Sequence, residues 1–302
     1  TTFVYCGGKM VILPAFKAAE YLRIATAERI THSLMVPAMY KLCLLDPGLR
    51  SQDLSAWRIG AYGGAPMPVA TITELADKLP QLELMNCYGA TETTSPATVM
   101  PIGRTRTHSD TVGQALHCVD LRVMDDEGRE VAPGVLGEIW IKGPMVVRGY
   151  WDNPQATAEQ ITGGYWHSGD LGTIDTQGYV RVLDRNKDMI NRVGFKIYTI
   201  EVENALYAHP AVQECAVVAK PCPVLGERVH AFVSLRPGHA TDGAQALQAH
   251  CATLLADYKV PESFTLQTQP LPRNANGKLI KRQMREQLAA AASYSVTQPT
   301  SQ

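Results

Sequence analysis

Between residues 107 and 183 the turn signals crowd together. "DDEG", "PG", "GG" and "DTQG" leave only short alternating runs between them. Such spacing suits short strands joined by turns, and the stretch reads as a small β-barrel or an antiparallel sheet. The flanks have a different texture, so this middle unit divides the chain. Upstream, apolar runs alternate with helical patterns: "KMVILP", "FKAAEYLRIATAERI", "SLMVPAMYKLCLL", "WRIGAY", "VATITELADKL" and "QLELMNCYG". Strands alternating with helices imply a parallel sheet with covered faces. Downstream, the charged "DRNKD" at 184–188 opens a separate α+β pattern. There "MINRVGFKIY" reads as a hairpin, "IEVENALYAH" and "GAQALQAHCATLLADY" as helices, and "VQECAVVAK", "RVHAFVSLR" and "ESFTLQ" as strands, before a final helix.

The expected fold class is therefore α/β plus α+β. A partial parallel-sheet α/β unit spans 1–106 and a small β-barrel unit spans 107–183, together one larger domain. A separate C-terminal α+β domain spans 184–292, and a polar tail over 293–302 is expected to be disordered. A length of 302 residues with 45% hydrophobic and 19% charged residues allows such a two-domain core. A net charge of −1 supplies no global field for nucleic acid or an anionic membrane surface. No run of eighteen apolar residues suggests a transmembrane segment. Seven cysteines, an odd number with no C-x-x-C pair, read as buried reduced thiols in a cytoplasmic protein. The eight histidines show no metal spacing, so no structural metal is expected.

Five stretches carry candidate chemistry, each with a plainer alternative. "GGAP", residues 63–66, follows a strand and precedes a helix; Gly63, Gly64, Ala65 and Pro66 either let a ligand approach the backbone or simply make a turn. In "YGATETT", residues 88–94, Tyr88 offers a face for a base, and Thr91 and Glu92 suit phosphate and Mg²⁺; alternatively, Thr-Glu caps a polar loop. Asp170 in "WHSGDLG" is either a turn residue or a carboxylate for a vicinal diol. "DRNKDMI" is either a solvated linker or a hinge. In "PRNANGKLIKR", Lys278 sits in a polar turn among Arg273, Lys281 and Arg282, either as a solvated charge or as a group delivered to a distant site.

These motifs, in this order, resemble the adenylate-forming superfamily of acyl-CoA synthetases, peptide-synthetase adenylation domains and beetle luciferases. "YGATE", "GEIWIKGPMVVRGYW", "SGDLG", "DRNKDMINRVGFKIYTIEVENAL" and "PRNANGKLIKR" match its motifs in register over roughly residues 3–290. The resemblance implies that a carboxylate attacks the α-phosphorus of ATP to give an acyl-adenylate and pyrophosphate. A thiol, usually that of CoA, then takes the acyl group. It implies that Tyr88 and Gly89 belong to the adenine side and that Gly63, Gly64, Ala65 and Pro66 line the adenine and acyl pockets. Thr91 would touch phosphate and Glu92 would hold Mg²⁺. Asp170 with Arg185 would bind the ribose. Lys187 would be the hinge of a C-terminal lid, Gly194 would line a pantetheine channel, and Lys278 would be the adenylation lysine.

"PRNANGK" and "GFKIYTIEVE" look more like acyl- or aryl-CoA synthetases than peptide-synthetase domains. The implied activity is an ATP-dependent acid–CoA ligase acting on a fatty or related acid. Alternatives are a non-catalytic adenylate-binding remnant and an aryl-CoA ligase. The family's Ser/Thr/Gly-rich phosphate loop ending in Pro-Lys-Gly does not occur here. With an opening Thr1 and a start read as mid-sheet, that departure leads to the expectation of an upstream portion belonging to a longer enzyme.

Overall fold

The computed structural model describes residues 5–239, 243–274 and 278–296. Three five-stranded sheets organise them. In the first, β1 (His32–Met35), β2 (Ile59–Gly63) and β3 (Glu83–Tyr88) run parallel, and β4 (Thr98–Val99) and β5 (Gln114–Ala115) continue antiparallel. Helices α1 (Ala18–Ala27), α2 (Pro37–Leu45) and α3 (Val69–Lys78) connect this unit. Pro37 opens α2, where its fixed φ suits the first helical turn and its missing N–H leaves nothing unpaired. Trp57 anchors the core, stacked on Tyr40 at 6.0 Å and edge-on to Tyr21 at 5.4 Å. Its indole N–H reaches Ser33 Oγ and the Ile59 carbonyl at 3.0 and 3.2 Å.

The second sheet has the order β10–β9–β7–β6, built from β6 (Asp120–Met124), β7 (Gly137–Lys142), β9 (Tyr165–Ile174) and β10 (Val180–Arg185), with β8 (Ile161–Thr162) hydrogen-bonded to β9. Every pair is antiparallel. It is an open half-barrel with β6 and β10 at its edges. Helix α4 (Pro154–Gln160) starts where Asn153 Oδ1 accepts the Ala156 N–H at 3.0 Å.

The third sheet contains the hairpin β11 (Ile190–Arg192)–β12 (Phe195–Ile197), then β13 (Val212–Cys222), β14 (Gly226–Leu235) and β15 (Ser263–Gln267), with α5 (Thr199–Tyr207), α6 (Ala244–Leu254) and α7 (Lys281–Val296). Val193 and Gly194 both take positive φ, 51° and 86°, as a two-residue primed turn requires. β13 is apolar on both faces because both are covered. Cys215 and Val217 join one core with Val202 and Leu247, while Ala216 and Val218 join another with Leu271 and Met284.

Several expectations change. Residues 9–14 are not a strand; a strand needs a paired neighbour, and the ladder among the described residues begins at β1. β5 lies beyond residue 107 yet pairs with the first sheet. The helix expected to run to Tyr258 stops at Leu254, and Asp257–Lys259 is a short 3₁₀ turn. α7 extends through Val296, into the stretch expected to be disordered; residues 297–302 lie outside the described set. All seven cysteines are free, but Cys6 and Cys118 are exposed rather than buried. No helix among the described residues is long and apolar enough to cross a membrane.

Candidate active site

One cleft of about 2670 Å³ is bordered by all three sheets. Its floor is made by a defect in β9. Between the pairs Glu138↔Leu171 and Trp140↔His167, the single residue Ile139 of β7 faces residues 168–170 of β9. Gly169 takes φ +68°, which a residue with a Cβ enters at a cost. Ser168 Oγ donates to the Ile139 carbonyl at 2.6 Å and accepts the Asp170 N–H at 3.0 Å; the Gly169 N–H donates to Glu138 Oε1 at 2.9 Å.

The bulge brings Asp170 against β3 of the first sheet. Tyr88 donates its hydroxyl to Asp170 Oδ2 at 2.6 Å, joining residues 82 positions apart. Arg185 lies opposite Asp170 in the β9–β10 ladder, with Nε 3.4 Å from Oδ1. Asp170 is only 8% exposed. Burial pushes its carboxyl pKa above the usual range, although Tyr88, Arg185 and Lys278 pull the other way. Burial also lifts the Tyr88 phenol, reinforced by the Asp170 charge, so it stays a donor.

The loop after β3 folds into a 3₁₀ turn, Thr91–Thr93. The loop is capped by Thr93 rather than by the Thr-Glu pair of the plainer alternative: its Oγ1 accepts the Ala90 N–H at 2.9 Å and donates to the Ser95 carbonyl at 2.7 Å. Thr91 and Glu92 are left facing the cleft. A Cβ on Gly89 would come within 2.7 Å of the Ser95 carbonyl oxygen, so that glycine is required by the loop's own closure. No group of three His, Cys, Asp or Glu side chains able to hold a metal occurs among the described residues. Glu92 nonetheless suits Mg²⁺, which characteristically takes one or two carboxylates and completes its shell with phosphate oxygens and water.

The "GGAP" turn divides by role. Gly64, at φ +78°, Ala65 and Pro66 border the cleft. Gly63 does not; a Cβ there would run into the Cys87 carbonyl oxygen of β3, so this glycine serves strand packing.

The turn bearing Lys278 comes from the third sheet's domain. Asn274 Oδ1 accepts the Lys278 N–H, and the Lys278 carbonyl accepts the Asn274 N–H, both at 2.9 Å. Residues 275–277 lie outside the described set. The basic crowd around Lys278 is neutralised elsewhere. Arg273 pairs with Glu214 at 2.9 Å, Lys281 with Glu203 at 2.8 Å and Arg282 with Glu286 at 3.5 Å. Of these four cations, Lys278 is the one with no carboxylate within ion-pair distance among the described residues. It borders the cleft. Surrounding protein, then Arg185 and Lys187, draw its pKa below that of an ordinary lysine, while Asp170 and Asp188 oppose the shift.

At the junction, the Asp188 and Met189 N–H groups donate to the Arg185 carbonyl at 2.9 and 3.0 Å, and Lys187 is exposed at the cleft edge. Asp184, in the stretch read as either a solvated linker or a hinge, is 3% exposed. Its Oδ2 accepts the Thr199 N–H at 2.5 Å and its Oδ1 the Arg185 N–H at 2.8 Å. α5 has no side-chain cap from its own N-cap, Tyr198, and Asp184 supplies one from β10. Burial would pull Lys281 down, yet Glu203 and Asp184 hold its pKa above the ordinary value. Gly194 occupies the tip of the β11–β12 hairpin, away from the cleft lining.

Sequence reasoning missed Tyr150, Trp166 and the buried role of Asp184. Tyr150 donates to Glu92 Oε1 at 3.0 Å across 58 positions. It lies in the quoted 137–151 motif, but no spacing rule connects it to Glu92.

The cleft therefore brings a buried, arginine-flanked carboxylate beside an aromatic ring together with a lysine from the third sheet's unit that has no ion-paired carboxylate among the described residues. The AMP-binding enzyme family matches residues 1–151, and the AMP-binding enzyme C-terminal domain matches residues 201–278. The chain belongs to this family of adenylate-forming enzymes. It is 39% identical over 279 residues to a feruloyl-CoA synthase of Amycolatopsis sp, covering 92% of this chain and 56% of that protein. It is 35% identical over 283 residues to the fatty acid–[acyl-carrier-protein] ligase ScoC of Streptomyces coeruleorubidus, covering 93% and 54%. The crystal structure of ATP-bound MatB from Rhodopseudomonas palustris superposes with a TM-score of 0.86 at 34% identity, covering 94% of this chain and 56% of that one. The chain spans about half the length of the curated relatives it matches.

Proposed function

We propose that this chain carries the nucleoside-binding floor and the lysine-bearing lid of an ATP-dependent acid–CoA ligase. The observation that carries the reading is the convergence of Tyr88, Asp170 and Arg185 with Lys278, which comes from a different sheet, on one cleft. Asp170, ionised, accepts the ribose hydroxyls, and Arg185 fixes its other oxygen. Tyr88 and Gly89 border the adenine, with Gly64, Ala65 and Pro66 beside the acyl group. Thr91 meets phosphate.

The first step joins two anions, so positive charge at the developing transition state matters most. The substrate carboxylate oxygen bonds to the α-phosphorus and pyrophosphate leaves. Lys278, a compact cation with no competing carboxylate among the described residues, spans the carboxylate and the α-phosphate. Mg²⁺ held by Glu92 and phosphate oxygens would neutralise charge on the leaving pyrophosphate. The lid then turns about Lys187, withdrawing Lys278 and bringing the Gly194 hairpin toward the thiol's path. The CoA sulfur displaces AMP from the acyl carbon. Seven free cysteines accord with a reducing, cytoplasmic compartment.

Both a feruloyl-CoA synthase and a fatty-acid ligase are among the relatives, so fatty and aryl acids are the substrate classes to separate. The test is pyrophosphate release from Mg-ATP by this chain with short, long and aromatic acids, run beside AMP titration. Release with one class supports the ligase reading and selects the acid. AMP binding without release with any acid favours an adenylate-binding module. Binding of neither by the folded chain overturns the reading.

A further inference from the structure

Glu92 is held by a phenol whose proton has only one direction to take. Trp166, 6% exposed on β9, donates its indole N–H to Tyr150 Oη at 3.2 Å. An indole N–H is a donor only, so Tyr150 Oη accepts there. The phenol's single proton then points to its second neighbour, Glu92 Oε1, at 3.0 Å. The relay Trp166→Tyr150→Glu92 is polar in one sense, and it favours an ionised carboxylate as its terminus.

The backbone around the relay is pinned. The Val147 N–H donates to the Glu92 carbonyl at 2.8 Å, and Thr94 Oγ1 donates to the Met145 carbonyl at 2.9 Å. The Tyr150 N–H donates to Thr157 Oγ1 at 2.9 Å, and Thr157 Oγ1 donates to the Asn153 carbonyl at 3.0 Å. One Glu92 oxygen is thus fixed, while Oε2 has no hydrogen-bond partner among the described residues, and the side chain borders the cleft. Trp166 precedes Asp170 by four positions on β9, so one strand orients both cleft carboxylates, Asp170 through its bulge and Glu92 through Tyr150.

We propose that Tyr150 is a positioning residue, which with Trp166 behind it holds Glu92 so that Oε2 is presented to the divalent cation of bound metal–ATP. This rests on the reading of Glu92 given above. It differs from a merely structural role in one respect: loss of the phenol should weaken the cation's site while leaving the nucleoside floor intact.

The test uses Mn²⁺ as the cation. Its binding to this chain with ATP is followed by electron paramagnetic resonance, and metal-free AMP affinity is measured by calorimetry. For Tyr150→Phe, Mn²⁺ affinity in the presence of ATP should fall about tenfold, as for loss of a hydrogen bond to a charged group. AMP affinity should stay within about twofold, which also shows that the variant is folded. Trp166→Phe should shift Mn²⁺ affinity in the same direction by less, and Glu92→Gln by more. Unchanged Mn²⁺ affinity in Tyr150→Phe beside a loss in Glu92→Gln overturns the positioning role and leaves the Glu92 reading standing. An equal fall in AMP affinity also overturns it, because the phenol would then be general packing. Unchanged Mn²⁺ affinity in Glu92→Gln, or no Mn²⁺–ATP binding by the unsubstituted chain, removes the reading on which the proposal rests.

Discussion

Asp170 and Lys278 border the same cleft, yet they are held very differently. Asp170 is buried in a bulge, with Tyr88 on one oxygen and Arg185 beside the other. Lys278 is exposed and tied through its backbone to Asn274, with its ammonium left without a carboxylate among the described residues. A buried, cross-linked group is suited to constant geometry, whereas an exposed group with few buried contacts can be moved at small cost. Under the proposed function the contrast is a division of labour, in which the floor would keep the nucleoside throughout and the lysine would serve one step and withdraw.

The largest effect expected from this contrast is in Lys278→Ala. Acyl-adenylate formation should fall ~100-fold or more, as for loss of a transition-state charge. Thioester formation from preformed acyl-adenylate should continue at close to its original rate. Single-turnover assays of the two half-reactions decide it, and equal loss in both would break the contrast.

A smaller effect is expected at the junction. Asp184→Ala removes the carboxylate that β10 lends to the first turn of α5, leaving the Thr199 N–H buried without its acceptor. The lid should dock less often with Lys278 inward, and adenylation should fall about tenfold, in line with the cost of one unsatisfied buried donor. Tryptic cleavage after the exposed Lys187 should quicken. Unchanged cleavage with unchanged adenylation would show that Asp184 does not hold the lid.

The smallest effect is a pH dependence of the floor. Burial raises the Asp170 pKa above the carboxylate's ordinary 3.8, so the proton returns at a higher pH than usual as the solution is acidified. The protonated acid loses acceptor capacity for the ribose hydroxyls. AMP affinity should therefore be full above the raised pKa and decline as pH falls through it. The sign is opposite for folding: stability contributed by the protonated form diminishes as pH rises from 3.8 through the raised pKa. In Asp170→Asn the AMP-binding profile should be flat over this window, and calorimetric titrations across pH check it.

Much of this arrangement was legible because its residues obey local rules. The β–α alternation placed β1 to β3, and "MINRVGFKIY" read as the hairpin that β11 and β12 form. What escaped depends on distant neighbours. Gly63 looked like a ligand contact, but its missing Cβ serves the Cys87 carbonyl of the adjacent strand. Asp184 looked like a solvated linker residue, and only the position of α5 explains its burial. Arg273 and Lys281 looked like a basic surface, and their partners Glu214 and Glu203 lie far back in the sequence. Tyr150 gave no signal because its contact with Glu92 exists only once the first two sheets meet.

The central claim is that the nucleoside is held by the floor independently of the lysine. Calorimetric titration of AMP into the unsubstituted chain, Asp170→Ala and Lys278→Ala tests it most directly. The account predicts saturable binding by the unsubstituted chain, a loss of at least about tenfold in Asp170→Ala, as for hydrogen bonds to a charged group, and a change within about twofold in Lys278→Ala. Equal weakening in both variants, or binding indifferent to Asp170, would contradict it.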